Sequence, residues 1–529
     1  MIGGAFPGKP IAGGASLRQR RRKVAERFDL VIIGSGNAGY IPAIRASQLG
    51  MNVAIIEKES VLGGTCLNVG CIPTKALLQT ASMLNDRRRG EEFGLLNGGP
   101  NGDAGFDYAR AAERKDRVVA RLEKGIRYLM RKNKVRVFTG VGSFVEPKKI
   151  KVEKEDGETQ ELEADNVLIA TGSAVRTLPG LEIDHEKVIS SDDAVKAGDY
   201  PKSVIILGSG AVGVEFASMY NDFGSKVTIV EVLNRILPGE DPEISAELEK
   251  RFEERGMRVM TSTIADPESL EKTGEGITIR VAAASEEERE EGEAEEKEEG
   301  GYGGGADPVG DTDADAEGDG GEVLQAEALF VAIGRKTVTE DLNLGATSVE
   351  LNKRGEVRVD EFYRTAEEGV YAAGDVIGGY WLAHAAGHEG IIAVEHMAGE
   401  DPTPLDQDLI PRVTFCRPEV ASFGLTEEQA REEGYEVKVG RFPFLALAKA
   451  LVEGEEGGFV KVVVDAETGL ILGMHAVGPH VTDLIAEGVF AKLVEGTPEE
   501  LGTAVHAHPT LSEAFGEAAL GVEGRAINF

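Results

Sequence analysis

Two segments of the chain show the same order of apolar run, glycine turn, helical pattern and second apolar run. In the first, FDLVII at 28–33 precedes GSGNAG, a helical pattern follows through Leu49, and VAIIE ends at Glu57. In the second, SVIIL precedes GSGAVG, and VTIVE ends at Glu231. Apolar, β-branched runs of this length favour buried strands, so each segment predicts a βαβ unit of a parallel sheet.

The glycines of both turns indicate dinucleotide binding. They are Gly34, Gly36 and Gly39 in the first turn and Gly208, Gly210 and Gly213 in the second. Glycine lets the backbone approach a pyrophosphate at a helix N-terminus, and the acid about twenty residues on accepts from a ribose hydroxyl. Because a carboxylate repels a 2′-phosphate, Glu231 favours NAD over NADP, although Arg235 lies close to it in sequence. Two such units predict two dinucleotides.

Other stretches add a helix and several strands. Residues 111–132 follow a helical pattern, and GFVKVVVDAETGLILGMHAVG alternates like two strands around a turn. The runs GITIRVAAA and VLQAEALFVAIG read as strands on either side of an acidic stretch. No apolar run reaches the roughly eighteen residues that predict a membrane span. The length of 529 residues, with 41% hydrophobic residues, suggests three or four domains.

The formal charge of −35 is concentrated in part at 286–322, where seventeen acids stand against Arg289 and Lys297. This stretch is rich in glycine and has Tyr302 as its one aromatic residue, so it is expected to be a disordered surface loop. We interpret it as a solvated spacer, with a partner-binding acidic loop as the alternative. The overall acidity argues against nucleic acid as a partner. The N-terminal arm at 1–27 is basic instead, and we expect a disordered tail.

The run GGTCLNVGCIPTKALL contains Cys66 and Cys71, and Cys416 is the one other cysteine. Two thiols with four residues between them, entering a helix, can close a small disulfide ring. A chain of this length does not need one short disulfide to stabilise its core. The pair therefore indicates redox chemistry. An ordinary disulfide or two buried thiols are the alternatives, and the spacing disfavours a metal site. The near absence of cysteine outside this pair is consistent with a reducing cytoplasm.

The run VHAHPTLSE near the C-terminus offers two candidate bases, His506 and His508. Imidazole has the side-chain pKa nearest to working pH and can move a proton to and from a thiol. Glu513, five residues beyond His508, can orient the ring. A structural histidine beside Pro509 is the alternative interpretation.

Taken in order along the chain, these motifs resemble the pyridine nucleotide-disulfide oxidoreductases from about Phe28 to the C-terminus. The resemblance rests on the cysteine run, both glycine turns, ATGS at 170–173, AIGR at 332–335, AAGD at 372–375 and HAHPTLSEAF. Among the family, the chain is similar to the class that oxidises dihydrolipoamide. The resemblance implies an α/β fold with two Rossmann-like dinucleotide-binding domains and an α+β C-terminal dimerisation domain.

The resemblance also implies roles for individual residues. FAD binds at the first turn, Asp375 reaches its ribitol chain, and Lys75 lies beside the flavin, paired with Glu215. His508 becomes the base and Glu513 its partner, and no metal is implied. The implied FAD contacts are Gly34, Gly36, Gly39, Glu57, Lys58, Gly64, Thr65, Lys75, Thr171, Gly172, Asp375 and Ala383, and the implied NAD contacts are Gly208, Gly210, Gly213, Glu215, Glu231 and Gly334.

The activity that the resemblance implies is oxidation of protein-bound dihydrolipoamide to lipoamide with reduction of NAD, through Cys66, Cys71 and FAD. The base then reaches the disulfide of the other subunit, so a homodimer is implied, with lipoyl domains of 2-oxo acid dehydrogenase complexes as partners. A glutathione-type reductase is expected to use NADP, and Glu231 disfavours NADP. A mercuric reductase is expected to have an extra cysteine pair near the C-terminus, where GVEGRAINF has none. An assembly subunit of such a complex is the alternative outside catalysis.

Domain boundaries follow from these patterns and the resemblance. We expect the arm at 1–27, an FAD domain at 28–179, an NAD domain at 180–334 with the acidic insertion 286–322, a central domain at 335–408 that completes the FAD site, and an interface domain at 409–529.

Overall fold

The computed structural model describes residues 26–95, 106–178, 180–290, 292 and 321–529. The basic arm up to residue 25 and most of the acidic stretch, residue 291 and residues 293–320, lie outside the described residues. Their expected disorder therefore stays a prediction.

At both of these segments the structure differs from the boundaries expected from sequence. Glu26 and Arg27, placed in the arm, already belong to the first strand, where they pair with Leu162 and Glu163. Residues 286–290 are helical, and Glu322 begins a strand opposite Val281. These residues are polar, and backbone hydrogen bonds rather than burial hold them in regular structure, so the hydrophobic pattern gives no signal for them.

Strands and α-helices succeed one another along the described residues. The strands are β1 (Glu26–Ile33), β2 (Val53–Glu57), β3 (Arg136–Thr139), β4 (Val141–Glu146), β5 (Lys149–Glu153), β6 (Thr159–Ile169), β7 (Ser173–Val175), β8 (Val188–Ile189), β9 (Ser203–Leu207), β10 (Lys226–Val230), β11 (Arg258–Met260), β12 (Thr263–Thr273), β13 (Gly276–Ala283), β14 (Glu322–Ala326), β15 (Ala328–Val331), β16 (Arg335–Thr337), β17 (Val370–Ala372), β18 (Arg412–Thr414), β19 (Glu419–Gly424), β20 (Val437–Pro443), β21 (Phe459–Asp465) and β22 (Ile471–Gly478). The α-helices are α1 (Asn37–Gln48), α2 (Gly64–Asn68), α3 (Cys71–Arg88), α4 (Tyr108–Lys132), α5 (Ser191–Ala194), α6 (Ala211–Phe223), α7 (Pro242–Glu254), α8 (Ala383–Met397), α9 (Glu427–Glu432), α10 (Ala448–Glu453), α11 (Val481–Leu493), α12 (Pro498–Thr503) and α13 (Glu513–Gly521).

The first sheet has the strand order β3-β2-β1-β6-β5-β4, and β17 adds to β6. Strands β1, β2, β3, β6 and β17 run parallel, whereas β4, β5 and β6 pair antiparallel. Helices α1 and α8 pack together, and Gly390 permits this approach because a Cβ there would lie 2.7 Å from the Pro42 side chain. The predicted βαβ unit at Phe28–Glu57 is confirmed.

The second sheet repeats this plan with the parallel order β11-β10-β9-β15-β8. A three-stranded antiparallel sheet, β12-β13-β14, joins it, and the short pair β7–β16 links the ATGS and AIGR segments. Both strands predicted beside the acidic stretch are present, as β13 and as β14 followed by β15. The second predicted βαβ unit is therefore also confirmed.

The C-terminal sheet is antiparallel, in the order β18-β19-β22-β21-β20, and the alternating run predicted as two strands forms β21 and β22. A buried charge joins this sheet to the loop before α7. Lys461, of which 2% is exposed, donates to Asp241 at 2.8 Å, and Asp241 is fully buried. A buried cation is tolerated only when it is paired in this way, so the pair fixes how the C-terminal sheet meets the second sheet.

A shared apolar core brings the cysteine helix to the second glycine turn. Leu77 and Ala81 of α3 are buried together with Val214 and Phe216 of α6 and with Cys416. Helices α3 and α6 therefore pack side by side, which places Lys75 next to Glu215. Within the described residues, no helix combines the length and apolarity that crossing a membrane requires.

Candidate active site

Cys66 lies in α2, and Cys71 is the first residue of α3. The two cysteines are not joined by a disulfide in this structure, and their side chains interact with each other. The hydrogen bond from Cys66, helped by Lys75, lowers the pKa of Cys71 to about 7 although burial opposes it. The same hydrogen bond and burial raise the pKa of Cys66. A helix N-terminus also favours a thiolate, so Cys71 is the member of the pair that is suited to hold negative charge.

The cysteine segment touches the first glycine turn. A Cβ on Gly64 would lie 2.7 Å from the Gly36 Cα, so the two backbones meet without side chains between them. The Gly63 amide donates to the Ser35 carbonyl and to the Ser35 Oγ, each at 3.2 Å. The two thiols therefore lie on the segment that packs directly on the first dinucleotide turn.

In the first turn, Ser35 is hydrogen bonded to Glu57, the acid at the end of β2. The Glu57 Oε2 accepts from the Ser35 amide at 3.0 Å and from the Ser35 Oγ at 2.5 Å, and its Oε1 accepts from the Glu59 amide at 2.9 Å. Gly34 has φ +109°, and a Cβ there would lie 2.1 Å from the Ala170 carbonyl oxygen, so this position needs glycine. The Glu57 Oε1 still has a lone pair for a ribose hydroxyl.

The second turn repeats this arrangement. The Glu231 Oε2 accepts from the Ser209 amide at 2.8 Å and the Ser209 Oγ at 2.7 Å, and its Oε1 accepts from the Leu233 amide at 3.0 Å. Burial raises the pKa of Glu231, whose side chain is fully enclosed. The Arg235 guanidinium is held by the Pro238 carbonyl at 3.2 Å.

The residues of the site fit two dinucleotides. The N-cap residues of α1, α6 and α8 are Gly36, Gly210 and Leu382, and none of the three helices has a side-chain cap. Amides at an uncapped helix start are free to bind a pyrophosphate or a carbonyl oxygen. Gly213, which lies within the second turn, would with a Cβ meet the Gly208 carbonyl oxygen at 2.1 Å, so the close turn there depends on glycine.

Lys75 and Glu215 form a tight ion pair across 140 residues of sequence. The Lys75 Nζ donates to both Glu215 oxygens at 2.8 Å, and Glu215 is 5% exposed. Although burial opposes it, the charges of Glu215 and Cys71 raise the pKa of Lys75. The ammonium is therefore fixed beside Cys71, where it stabilises a thiolate.

Asp375 lies at the start of a 3-10 turn and is bonded to the ATGS segment. The Ser173 Oγ donates to the Asp375 Oδ2 and accepts from the Arg335 Nε at 2.7 Å. The other Asp375 oxygen makes no hydrogen bond with any described residue, which leaves it for a cofactor hydroxyl. The Thr171 Oγ1 donates to the Val338 carbonyl at 2.6 Å.

The remaining predicted contacts are spread around the two turns. Lys58 is exposed just after β2, Thr65 is half-buried in α2, and Ala383 is the first residue of α8. Gly172 has φ +71° and Gly334 φ +109°, and both lie at turns beside the β7–β16 pair. No described group of three or more His, Cys, Asp or Glu side chains is arranged to hold a metal ion.

The two candidate bases differ in exposure. The His506 ring is 12% exposed and its Nε2 is bonded to the Glu487 Oε1 at 2.7 Å. The His508 ring is 72% exposed, and its Nδ1 is bonded to the Glu513 Oε1 at 2.9 Å, which leaves Nε2 free. No hydrogen bond or ion pair of the described chain joins His508 to Cys66 or Cys71. The geometry favours His508 as a base for a substrate outside its own chain.

Glu513 is held as a carboxylate. Although burial opposes it, the Thr510 amide, which donates to the Glu513 Oε2 at 2.8 Å, and the His508 ring lower the pKa of Glu513. The negative charge of Glu513 beside the His508 Nδ1 keeps the proton on that nitrogen. The other ring nitrogen, Nε2, is then left as the acceptor.

Sequence reasoning missed Glu389, which supports the AAGD turn. The Glu389 Oε2 accepts from the Gly374 amide at 2.7 Å, and the side chain is 8% exposed. Burial raises the pKa of Glu389 to about 7, and Asp375 adds to this rise. An acid among the small and apolar residues of α8 is the signal that can point to such a residue.

We expect Glu389→Gln to stabilise the protein above pH 8 by about 1 to 3 kcal/mol and to have little effect near pH 4.5. Above pH 7 the folded state must bury a carboxylate that the unfolded state solvates, so the parent loses stability as the pH rises through 7. Glutamine keeps the acceptor for Gly374 without the charge. Thermal unfolding with saturating FAD measures the difference. Glu395→Gln, on the same helix but partly exposed and paired with Arg45, is the control. A gain that does not change with pH would contradict the assignment.

Comparison with protein families gives two matches. The family model described as pyridine nucleotide-disulphide oxidoreductase matches residues 28–390, and the model of the corresponding dimerisation domain matches residues 410–519. Together they span nearly all of the first sheet, the second sheet, and the C-terminal sheet with nearly all of its helices.

Several curated proteins are similar over nearly their full length. The dihydrolipoyl dehydrogenase of Bacillus subtilis is 44% identical over 515 residues, which cover 96% of this chain and 100% of that protein. The dihydrolipoyl dehydrogenase of Zymomonas mobilis is 40% identical over 507 residues, with 96% and 100% covered.

Among solved structures, LpdA from Mycobacterium tuberculosis is similar with a TM-score of 0.80 at 27% identity, covering 94% of this chain and 99% of that one. The HOCl-induced flavoprotein disulfide reductase RclA from Escherichia coli has a TM-score of 0.76 at 26% identity, with 93% and 99% covered.

Proposed function

The chain belongs to the pyridine nucleotide-disulphide oxidoreductase family, and we propose that it oxidises protein-bound dihydrolipoamide to lipoamide while reducing NAD to NADH. The observation that carries this proposal is the Cys66–Cys71 pair, packed on the first dinucleotide turn with Lys75 and Glu215 beside it. The names of relatives that are 40–44% identical over nearly the whole chain support the choice of substrate.

The first half of the reaction is thiol–disulfide exchange at the oxidised cysteine pair. A dihydrolipoyl thiol gives its proton to His508, and the thiolate attacks the Cys66 sulfur. The bond between Cys66 and Cys71 breaks, a mixed disulfide forms, and Cys71 leaves as a thiolate, for which its lowered pKa suits it. The second substrate sulfur then displaces Cys66 and closes the lipoamide disulfide. The pair of electrons now resides on the two cysteines.

The second half of the reaction reoxidises the cysteine pair. FAD, when bound, supplies the two-electron carrier between the dithiol and NAD. The chain contributes the positions: Lys75 holds positive charge beside Cys71, Asp375 and Glu57 would hold hydroxyl groups of the first dinucleotide, and Glu231 would hold those of the second. A buried carboxylate in that place disfavours the 2′-phosphate of NADP.

We place the base of one protomer at the cysteine pair of its partner, in a homodimer. The dimerisation-domain match at 410–519 and the 72% exposure of the His508 ring support this arrangement. Lipoyl domains are the proposed protein partners, and nucleic acid is not expected for so acidic a chain. We propose a cytoplasmic location because a redox pair with one further, buried cysteine suits a reducing compartment.

We expect an anaerobic titration of the FAD-loaded protein with dihydrolipoamide to produce a long-wavelength charge-transfer band from the Cys71 thiolate. Addition of NAD should then form NADH and remove the band, whereas NADP should do so far less efficiently. The absorbance spectrum records both steps. Addition of glutathione instead of dihydrolipoamide is the control, and reduction by glutathione alone would overturn the choice of substrate.

A further inference from the structure

We infer that the segment Phe415–Arg417, which follows β18 in the dimerisation domain, positions the Lys75–Glu215 ion pair. Ser218 and Arg255, outside that domain, hold the segment in place. The inference rests on the proposed function and deepens it, because none of these groups touches the reacting sulfur atoms. They are positioning residues that connect the dimerisation domain to the charge beside Cys71.

Phe415 contacts both members of the ion pair. Its backbone amide donates to the Glu215 Oε1 at 2.9 Å, and its ring lies 4.9 Å from the Lys75 Nζ. A carboxylate that is 5% exposed needs donors besides its counter-ion, and the Phe415 amide is one of them. An aromatic face also attracts an ammonium group. One residue of the dimerisation domain therefore fixes the carboxylate and the ammonium together.

A second amide of the segment bonds to the next turn of α6. The Arg417 amide donates to the Ser218 Oγ at 3.0 Å, three residues along α6 from Glu215. The two donating amides are two residues apart in the segment, and their acceptors on α6 are three residues apart, about one helical turn. The segment is thus aligned along one face of α6.

Arg255, the residue after α7, locks this alignment. Its Nη1 donates to the Ser218 Oγ at 3.1 Å and to the Arg417 carbonyl, and its Nη2 donates to the Ser218 carbonyl at 3.2 Å and to the Asp222 Oδ1 at 2.9 Å. The Asp222 side chain is 7% exposed and the Arg255 side chain 20% exposed. A planar fork with several fixed donors makes these contacts at once, which a lysine cannot do.

The alignment controls the charge around Cys71. In the described chain the groups that act on Cys71 are Cys66, Lys75 and Glu215; Lys75 favours its thiolate and Glu215 opposes it. If the segment moved away from α6, Glu215 would lose an amide donor and its negative charge would be less compensated. Lys75 would also lose the Phe415 ring and be held less firmly beside Cys71. Both changes disfavour the Cys71 thiolate.

Ser218→Ala tests the inference in the FAD-loaded protein. Dithionite reduces the protein by two electrons, and the charge-transfer absorbance is followed as a function of pH. We expect the pH at which half the band is lost to rise by about 0.5 to 1 unit, with FAD still bound. Ser225→Ala is the matched control, because this buried hydroxyl donates to the Pro201 carbonyl at 2.5 Å just beyond the other end of α6. It should keep the parental midpoint.

A second variant and an independent assay keep the result decisive. Arg255→Lys retains the charge but loses the fork, and it should shift the midpoint in the same direction. If both variants lose thermal stability while the midpoint stays at the parental pH, the contacts are merely structural and the inference is wrong. Because dithionite acts whatever the natural substrate is, an error in the proposed function would appear separately, as a parent protein that does not turn over dihydrolipoamide.

Discussion

Cys66→Ser is expected to abolish turnover of dihydrolipoamide, with a loss of about 10⁴-fold or more. The substrate sulfur attacks the Cys66 sulfur in the first step and must be released from it in the second, and a serine oxygen can form neither disulfide. The loss is therefore in kcat and not in KM. Formation of NADH from NAD and dihydrolipoamide measures it.

The controls separate the loss of one sulfur from damage to the fold. The variant should keep FAD and should still oxidise NADH with an artificial electron acceptor, since that reaction bypasses the cysteine pair. Cys416→Ser removes the third thiol, whose sulfur lies 3.0 Å from the Pro418 carbonyl, a contact that a hydroxyl can replace. We expect its turnover to stay within about tenfold of the parental rate, far above that of Cys66→Ser. Dihydrolipoamide turnover above about one hundredth of the parental rate in Cys66→Ser would show that the pair is not on the reaction path.

Sequence predicted those parts of the site that depend on short-range pattern. Gly34 and Gly208 lie where the chain turns, with φ of +109° and +90° respectively. The strands before them are short runs of buried apolar residues. Such positions tolerate few other residues, so the pattern is visible in a single chain.

The pairing of Lys75 with Glu215 needed more than pattern. The two residues are 140 positions apart, and nothing local to either indicates the other; the resemblance to a family supplied the expectation. The structure gives the physical reason, since α3 and α6 share one apolar core and face each other with these two side chains.

Contacts to backbone groups were not predictable. Glu389 holds the Gly374 amide, and Ser218 holds the Arg417 amide, but an amide proton is present at almost every residue and carries no sequence signal. The burial of Glu231 was also missed, because the sequence shows that an acid ends the strand but not how completely its side chain is enclosed. These features depend on packing between residues far apart in sequence. They include groups that hold the residues of the site in position.

His508→Gln is expected to lower dihydrolipoamide turnover by about 10³-fold while FAD and the dimer are retained. Glutamine is close to imidazole in size but cannot take the proton of the substrate thiol. Glu513→Gln should have a smaller effect, because it removes the charge that orients the ring and leaves the ring itself. His506→Gln is the matched control, since that ring is buried against Glu487. Stopped-flow formation of the charge-transfer band isolates the step.

Mixed dimers of Cys66→Ser and His508→Gln subunits show which cysteine pair His508 serves. If His508 acts on its partner's cysteines, a mixed dimer has one site with both defects and one site with neither. Random assembly of equal amounts makes half of the dimers mixed, so turnover should recover to about a quarter of the parental value. If His508 instead acts within its own chain, every site has one defect and the mixture stays inactive. The free Nε2 of an exposed ring, with no contact to the cysteines of its own chain, leads us to expect recovery.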